Sequence, residues 1–160
     1  MKNNNTKYLT QSGVIAALYV ALTLLAKVFG LDSGQIQLRL SEALCVLPVF
    51  LPAAVPGLTI GCLLANLLCG NIIWDVVFGT LATLLGAIGT RLLRNHPLPA
   101  LLPPILSNTV IVPFVLAYAY GIPGSIPFFM LTVGLGEVIS CGLLGRLLYN
   151  TLDKHKNQLF

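Results

Sequence analysis

Residues 43–74 read ALCVLPVFLPAAVPGLTIGCLLANLLCGNIIW, 32 positions without one charged side chain. A helix needs roughly 20 apolar residues to cross a bilayer. This stretch is therefore longer than one span, and too apolar to cover a water-facing surface. Pro52 and Pro56 mark its natural break, because proline lacks the backbone donor a helix interior needs and its ring clashes with the preceding turn. The pattern predicts two membrane helices in succession, over 42–52 and 55–69. Ser41 is placed to cap the first, and Pro48 shortens or kinks it.

The rest of the chain follows the same rule. It has 160 residues, 56% hydrophobic and 9% charged, where a soluble domain carries roughly 25% charged residues. A small soluble protein is mostly surface and needs that charge to solvate it. Water-soluble, disordered and fibrous classes are excluded on this ground. Further apolar stretches predict spans over 11–29, 76–93, 100–120 and 127–149. Six spans use about 120 residues, so the expectation is a single integral membrane domain over 1–160. Its fold class is all-α, a polytopic six-transmembrane-helix bundle. The remaining loops are too short for an attached ATPase or catalytic domain. Lys2 and Lys7 precede an apolar run as in a secretory signal. That run is longer than a signal core and no small-residue cleavage site follows it, so it reads as a permanent span.

Charge orients the bundle. With six spans, Lys2, Lys7, Arg91, Arg94, Arg146, Lys154 and Lys156 share the side of both termini, leaving Lys27 and Arg39 on the other. Positive residues accumulate in the cytoplasm, which predicts cytoplasmic N- and C-termini in the cell membrane. The net charge of +4 is scattered at span ends rather than gathered in a stripe, so it carries no nucleic-acid signal. Cys45, Cys62, Cys69 and Cys141 lie in apolar stretches without a CxxC or clustered histidines. They read as packing residues, with no metal site.

The acidic residues mark where chemistry can sit. Asp32, Glu42 and Asp75 fall at or near the outer ends of spans, and Glu137 lies about 15 Å inside the sixth at 1.5 Å per residue. A carboxylate at such depth costs a few kcal/mol or more and normally faces a cavity or a partner. One reading is structural: Arg39 and Glu42 are three apart on one face and can pair. The other is a polar pocket in the outer half, assembled from Arg39, Glu42, Asn66, Trp74, Asp75, Asn108 and Glu137. Carboxylates accept paired N–H groups well. A flat, hydrogen-bonding solute, neutral or cationic, would suit amides, carboxylates and an aromatic face. Trp74 has a commoner alternative role as an interface anchor.

Two stripes of small residues stand out, Gly13-Ala17-Ala21 on the first span and Gly57-Gly61-Ala65 on the third. Such spacing lets helices approach closely in lipid. Packing within the bundle and docking of another subunit both fit it. No Ser/His/Asp set, HExxH, metal cluster or P-loop is present, so any ATP-driven work belongs to separate chains.

Several blocks resemble the QueT family: IQLRLSEAL at 36–44, GLTIGCLLAN at 57–66, DVVFGTLATL at 75–84, PPILSN at 103–108 and GLGE at 134–137. The resemblance covers nearly the whole chain. It implies the substrate-binding S component of an energy-coupling factor (ECF) transporter, without catalysis of its own. The implied cargo is a queuosine precursor, queuine or a related 7-deazaguanine. The implied partners are a transmembrane T component and two cytoplasmic ATPase subunits, which use the ATP. No cofactor is expected in this chain. The family's first helix carries an alanine-rich docking stripe, a role that Gly13, Ala17 and Ala21 fit. The guanine-like edge would meet Glu137 or Glu42, an amine on the cargo would meet Asp75, and Asn66 and Asn108 would hold other polar atoms. Alternatives are an S component for another vitamin or an amino acid, a small membrane enzyme using the intramembrane carboxylates, and an oligomeric channel.

Overall fold

A computed structural model describes residues 2–31 and 38–159; Asp32 and the first two residues of the 36–44 block lie outside them. Among the described residues there are six helical segments and no strand. Helix α1 spans Lys2–Val28. A 3-10 helix follows over Leu40–Val49, then α2 over Ala54–Leu68 and α3 over Ile73–Leu92. Helix α4, Leu102–Phe114, is preceded by a 3-10 turn at Pro99–Leu101 and continued by a π-helical turn at Val115–Ala119. The last rod comprises α5, Ile126–Glu137, a π-helical turn at Val138–Leu144 and α6, Gly145–Leu159.

Four of these segments are long and apolar enough to cross a membrane: Asn4–Val28, Ile73–Leu92, Pro99–Ala119 and Ile126–Lys156. The two segments from the charge-free stretch are shorter. Leu40–Val49 makes up part of the difference through its geometry, because a 3-10 helix rises about 2.0 Å per residue against 1.5 Å for an α-helix. Its register shows in the Glu42 N–H donating to the Arg39 carbonyl at 3.0 Å. Ser41 does not cap it. The helix begins at Leu40, and the Ser41 hydroxyl instead accepts from Thr23 Oγ1 at 2.8 Å. At the far end, Arg91 Nη1 donates to the carbonyls of Pro48 and Val49 at 3.1 and 3.3 Å. That contact takes up carbonyls left open where the segment ends.

The 3-10 segment runs through the middle of the bundle. Val46 and Cys45 are buried in one core with Tyr19, Leu58, Cys62 and Cys141. Around it, α1 packs on α2 and α3 packs on α4 at contacts set by glycine. A Cβ on Gly61 would stand 2.7 Å from Tyr19 Cβ, and one on Gly86 would stand 2.7 Å from Pro104 Cα. Backbones approach this closely only where a side chain is missing. Gly70 and Gly121, with φ of 71° and 62°, turn the chain after α2 and after the π turn of α4. Both turns lie at the end of the bundle opposite the termini.

The two small-residue stripes have opposite fates. Gly57 and Gly61 pack against α1, and Ala65 is buried with them. Gly13, Ala17 and Ala21 are exposed, and a Cβ on Gly13 would meet nothing within 4 Å.

Candidate functional site

A cavity of about 220 Å³ opens at the end of the bundle opposite the termini. Helices α1 to α4 contribute there, mostly through their end turns, while the α5–α6 rod does not line it. Thr23 and Ala26 come from the end of α1, Asn66 and Cys69 from the end of α2, Asn71 from the turn, and Asp75 from the start of α3. Val112 and Leu116 line it from α4 and its π turn, with Tyr120 and Ile122 just beyond. Arg39 enters from the residue before the 3-10 segment, held there by its backbone N–H donating to Ser140 Oγ at 3.2 Å. Lys27 fixes the rim by donating to the Cys69 carbonyl at 2.6 Å.

The cavity is polar on two sides. Tyr120 donates to Asp75 Oδ2 at 3.2 Å. Asn71 Nδ2 donates to Asn66 Oδ1 at 3.1 Å, and Asn66 Nδ2 reaches Cys62 Sγ at 3.5 Å. Gly79 leaves room for that amide, since a Cβ there would lie 3.2 Å from Asn66 Nδ2. Burial works against the charge on Arg39, but Asp75 foremost, with Glu42 also contributing, holds the guanidinium's pKa above its ordinary value. It therefore remains a cation facing the carboxylates.

A second, much smaller void of about 10 Å³ is lined by Arg39, Val112, Val133 and Glu137. Arg39 and Val112 border both spaces. Glu137 is 6% exposed and lies beside Asn108, within electrostatic reach of Glu42 and Arg39. Asn108 interacts with the Glu137 carboxyl, but the contact falls outside hydrogen-bond geometry, and buried Glu137 Oε2 and Asn108 Nδ2 have no other partner among the described residues. Glu137 is the last residue of α5 before the π turn; π turns inside helices often coincide with functional sites.

Glu42 has a different environment. It is fully buried, Tyr19 donates to its Oε1 at 2.5 Å and Cys45 to its Oε2 at 3.0 Å. Both carboxyl oxygens are occupied, by α1 and by its own segment. Neither cavity is lined by Glu42, and its hydrogen bonds run to Tyr19 and Cys45 rather than to Arg39.

Arg39, Asn66 and Asp75 thus line one cavity, with Glu137 on the adjoining void that Arg39 also borders and Asn108 beside Glu137. Trp74 is not among them. It is 56% exposed and stacks on Phe78 with ring centroids 6.1 Å apart. There it lines an apolar hollow of about 620 Å³ on the outer surface of α3 and α4. Neighbours on a helix point 100° apart, so with Asp75 facing inward Trp74 turns to the lipid side. Sequence reasoning missed Tyr19, Thr23, Asn71 and Tyr120. The first has a weak signal: Ser12, Ile15, Tyr19 and Ala26 share helical spacing, which marks an inward face with one polar-tipped aromatic on it.

Comparison with known proteins gives a single direction. A model of the QueT transporter family matches residues 9–154. The queuosine precursor transporter QueT of Lactococcus lactis subsp. cremoris (strain MG1363) is 36% identical over 85 residues, covering 52% of this chain and 49% of that protein. The matched part therefore spans about half the length of that relative. No solved structure matches.

Proposed function

The chain belongs to the QueT transporter family, and from that premise we propose that it is the solute-binding S component of an ECF-type importer for a queuosine precursor. The cargo is queuine or a related 7-deazaguanine. The observation that carries this reading is the polar cavity with Arg39, Asn66, Asp75 and Tyr120 on its walls in a chain that is 56% hydrophobic. Its volume of about 220 Å³ sits just below the usual range of small-molecule sites, roughly 300–1,000 Å³. That favours one fused heterocycle over a larger solute. Its lining offers both donors and acceptors, from Arg39, Asn66, Asn71, Asp75 and Tyr120, as a base-like ring requires.

The proposal has the termini in the cytoplasm and the cavity open to the outside, following the distribution of lysine and arginine. Gly13, Ala17 and Ala21 form a bare strip on α1, suited to close approach by a helix of the T component. Two cytoplasmic ATPase subunits supply the energy. The chain itself is not an enzyme, and its carboxylates grip rather than react.

Equilibrium binding of labelled queuine and its aminomethyl relative to the purified protein tests the cargo. Saturable binding, not displaced by unrelated vitamins or amino acids, is expected. If an unrelated vitamin binds and the deazaguanines do not, the same architecture serves another cargo.

A further inference from the structure

Of the two deeply buried carboxyls, Glu42 has both oxygens occupied by Tyr19 and Cys45. Glu137 keeps Oε2 unpartnered, and the adjacent Asn108 keeps Nδ2 unpartnered. A buried polar atom without a hydrogen bond has lost its water without recompense and requires an explanation. Here an acceptor and a donor, both more than nine-tenths buried, lie beside each other and interact without reaching hydrogen-bond geometry, so a ligand edge inserted between them would satisfy both. The void beside Glu137, about 10 Å³, holds about one water and is separated from the main cavity by Arg39 and Val112.

We infer that Glu137 and Asn108 read the 2-amino-4-oxopyrimidine edge of the ligand, which enters ring-first with its 7-substituent left at the mouth. This rests on the 7-deazaguanine reading above. The ring N–H and 2-amino group donate to the Glu137 carboxyl, and Asn108 Nδ2 donates to the ring carbonyl. The edge displaces the water-sized void, and the Arg39 guanidinium shifts toward Asp75, its strongest counter-charge. The 7-substituent then faces Asp75, Tyr120 and Asn71 at the open end. Selectivity resides in the inner edge. An adenine-type edge presents a donor to Asn108 and an acceptor to Glu137, and is rejected because both buried groups stay unpaired.

The test is a ligand series against wild type, Glu137→Gln and Asn108→Leu, on purified full-length protein. The probes are 7-deazaguanine, 7-deazahypoxanthine (no 2-amino group), the 2-amino analogue lacking the ring carbonyl, and 7-aminomethyl-7-deazaguanine. Loss of the 2-amino group should weaken wild-type binding by roughly tenfold or more, and by far less in Glu137→Gln. Loss of the carbonyl should penalise the wild type and not Asn108→Leu. The increment from the aminomethyl group should be the same in all three proteins. The inference is overturned if the 2-amino and carbonyl penalties survive both substitutions, or if Glu137→Gln erases the aminomethyl increment instead; either result leaves deazaguanine binding, and so the proposed function, standing. If none of the probes binds the wild type, the cargo itself is wrong and the inference goes with it.

Discussion

Gly61→Ala should loosen the bundle where α1 crosses α2, and the structure sets the size of the effect. The added methyl would lie 2.7 Å from Tyr19 Cβ, 3.0 Å from the Ala16 carbonyl and 3.1 Å from Ala16 Cα. Ordinary contact begins at 3.4 Å, so the shortest approach is 0.7 Å too close. Two of the three atoms are backbone and the third is a Cβ, so no rotamer change relieves the clash; the helices must separate. Inserting a methyl into such a contact costs roughly 1–3 kcal/mol. In water, alanine's better helix propensity would return up to about 1 kcal/mol. In a bilayer or detergent the separated helices stay helical, so little of that gain is realised. A loss of 1–3 kcal/mol multiplies the unfolding constant roughly 5- to 150-fold. Three free thiols, Cys45, Cys62 and Cys141, are buried, and Cys62 adjoins the mutated site. A thiol-reactive fluorophore in a temperature ramp therefore reports unfolding directly, and its midpoint should drop by several degrees. Gly13→Ala is the control, since its Cβ meets nothing within 4 Å. Equal midpoints for Gly61→Ala and wild type would refute this packing of α1 on α2.

Three further outcomes follow from the geometry. Ala17→Trp with Ala21→Trp should leave solute binding by the isolated protein intact, because both residues are exposed. Uptake by cells carrying the whole transporter should stop; unchanged uptake would remove the docking role of that strip. Tyr19→Phe strips Glu42 Oε1 of its donor and should cost about 1–3 kcal/mol in the thiol assay. Its solute affinity should stay near wild type, since neither residue lines the cavity, and a large loss of affinity with normal stability would place Glu42 in the site after all. A membrane-impermeant maleimide should label Ser125→Cys in intact cells and His155→Cys only after permeabilisation; the reverse pattern would invert the topology.

Most of the fold was legible because the bilayer imposes a strong rule on composition. Apolar length marked six helical segments, and Pro52 falls in the break between the two short ones, while Pro56 lies in the first turn of α2. What the sequence did not show was the 3-10 form of Leu40–Val49. Its apolar, proline-containing pattern is compatible with either helix, and the tighter form emerges from packing among α1, α3 and α6. The small-residue stripes show the same limit. Gly13-Ala17-Ala21 and Gly57-Gly61-Ala65 have identical spacing, yet only the second touches a neighbouring helix. Spacing says that a helix can be approached closely, and the rest of the bundle decides what approaches it.

The site shows a related division. Residue type singled out Glu42 and Glu137 alike, and depth singled out Glu137 further, because the cost of placing a carboxyl in lipid depends on position. Its availability to a ligand depends on its partners, which come from elsewhere in the chain. Tyr19 lies 23 residues before Glu42, and Cys45 one turn after it. Together they convert that carboxyl into a tie between α1 and the 3-10 segment. Glu137 sits at the end of α5, where the π turn begins, and its Oε2 has no such partner among the described residues. The protein bears the cost of an unpaired group in the second case and avoids it in the first. A hydrogen bond already closed inside the bundle stabilises the fold whether or not solute is bound, whereas one left open contributes only when a ligand completes it.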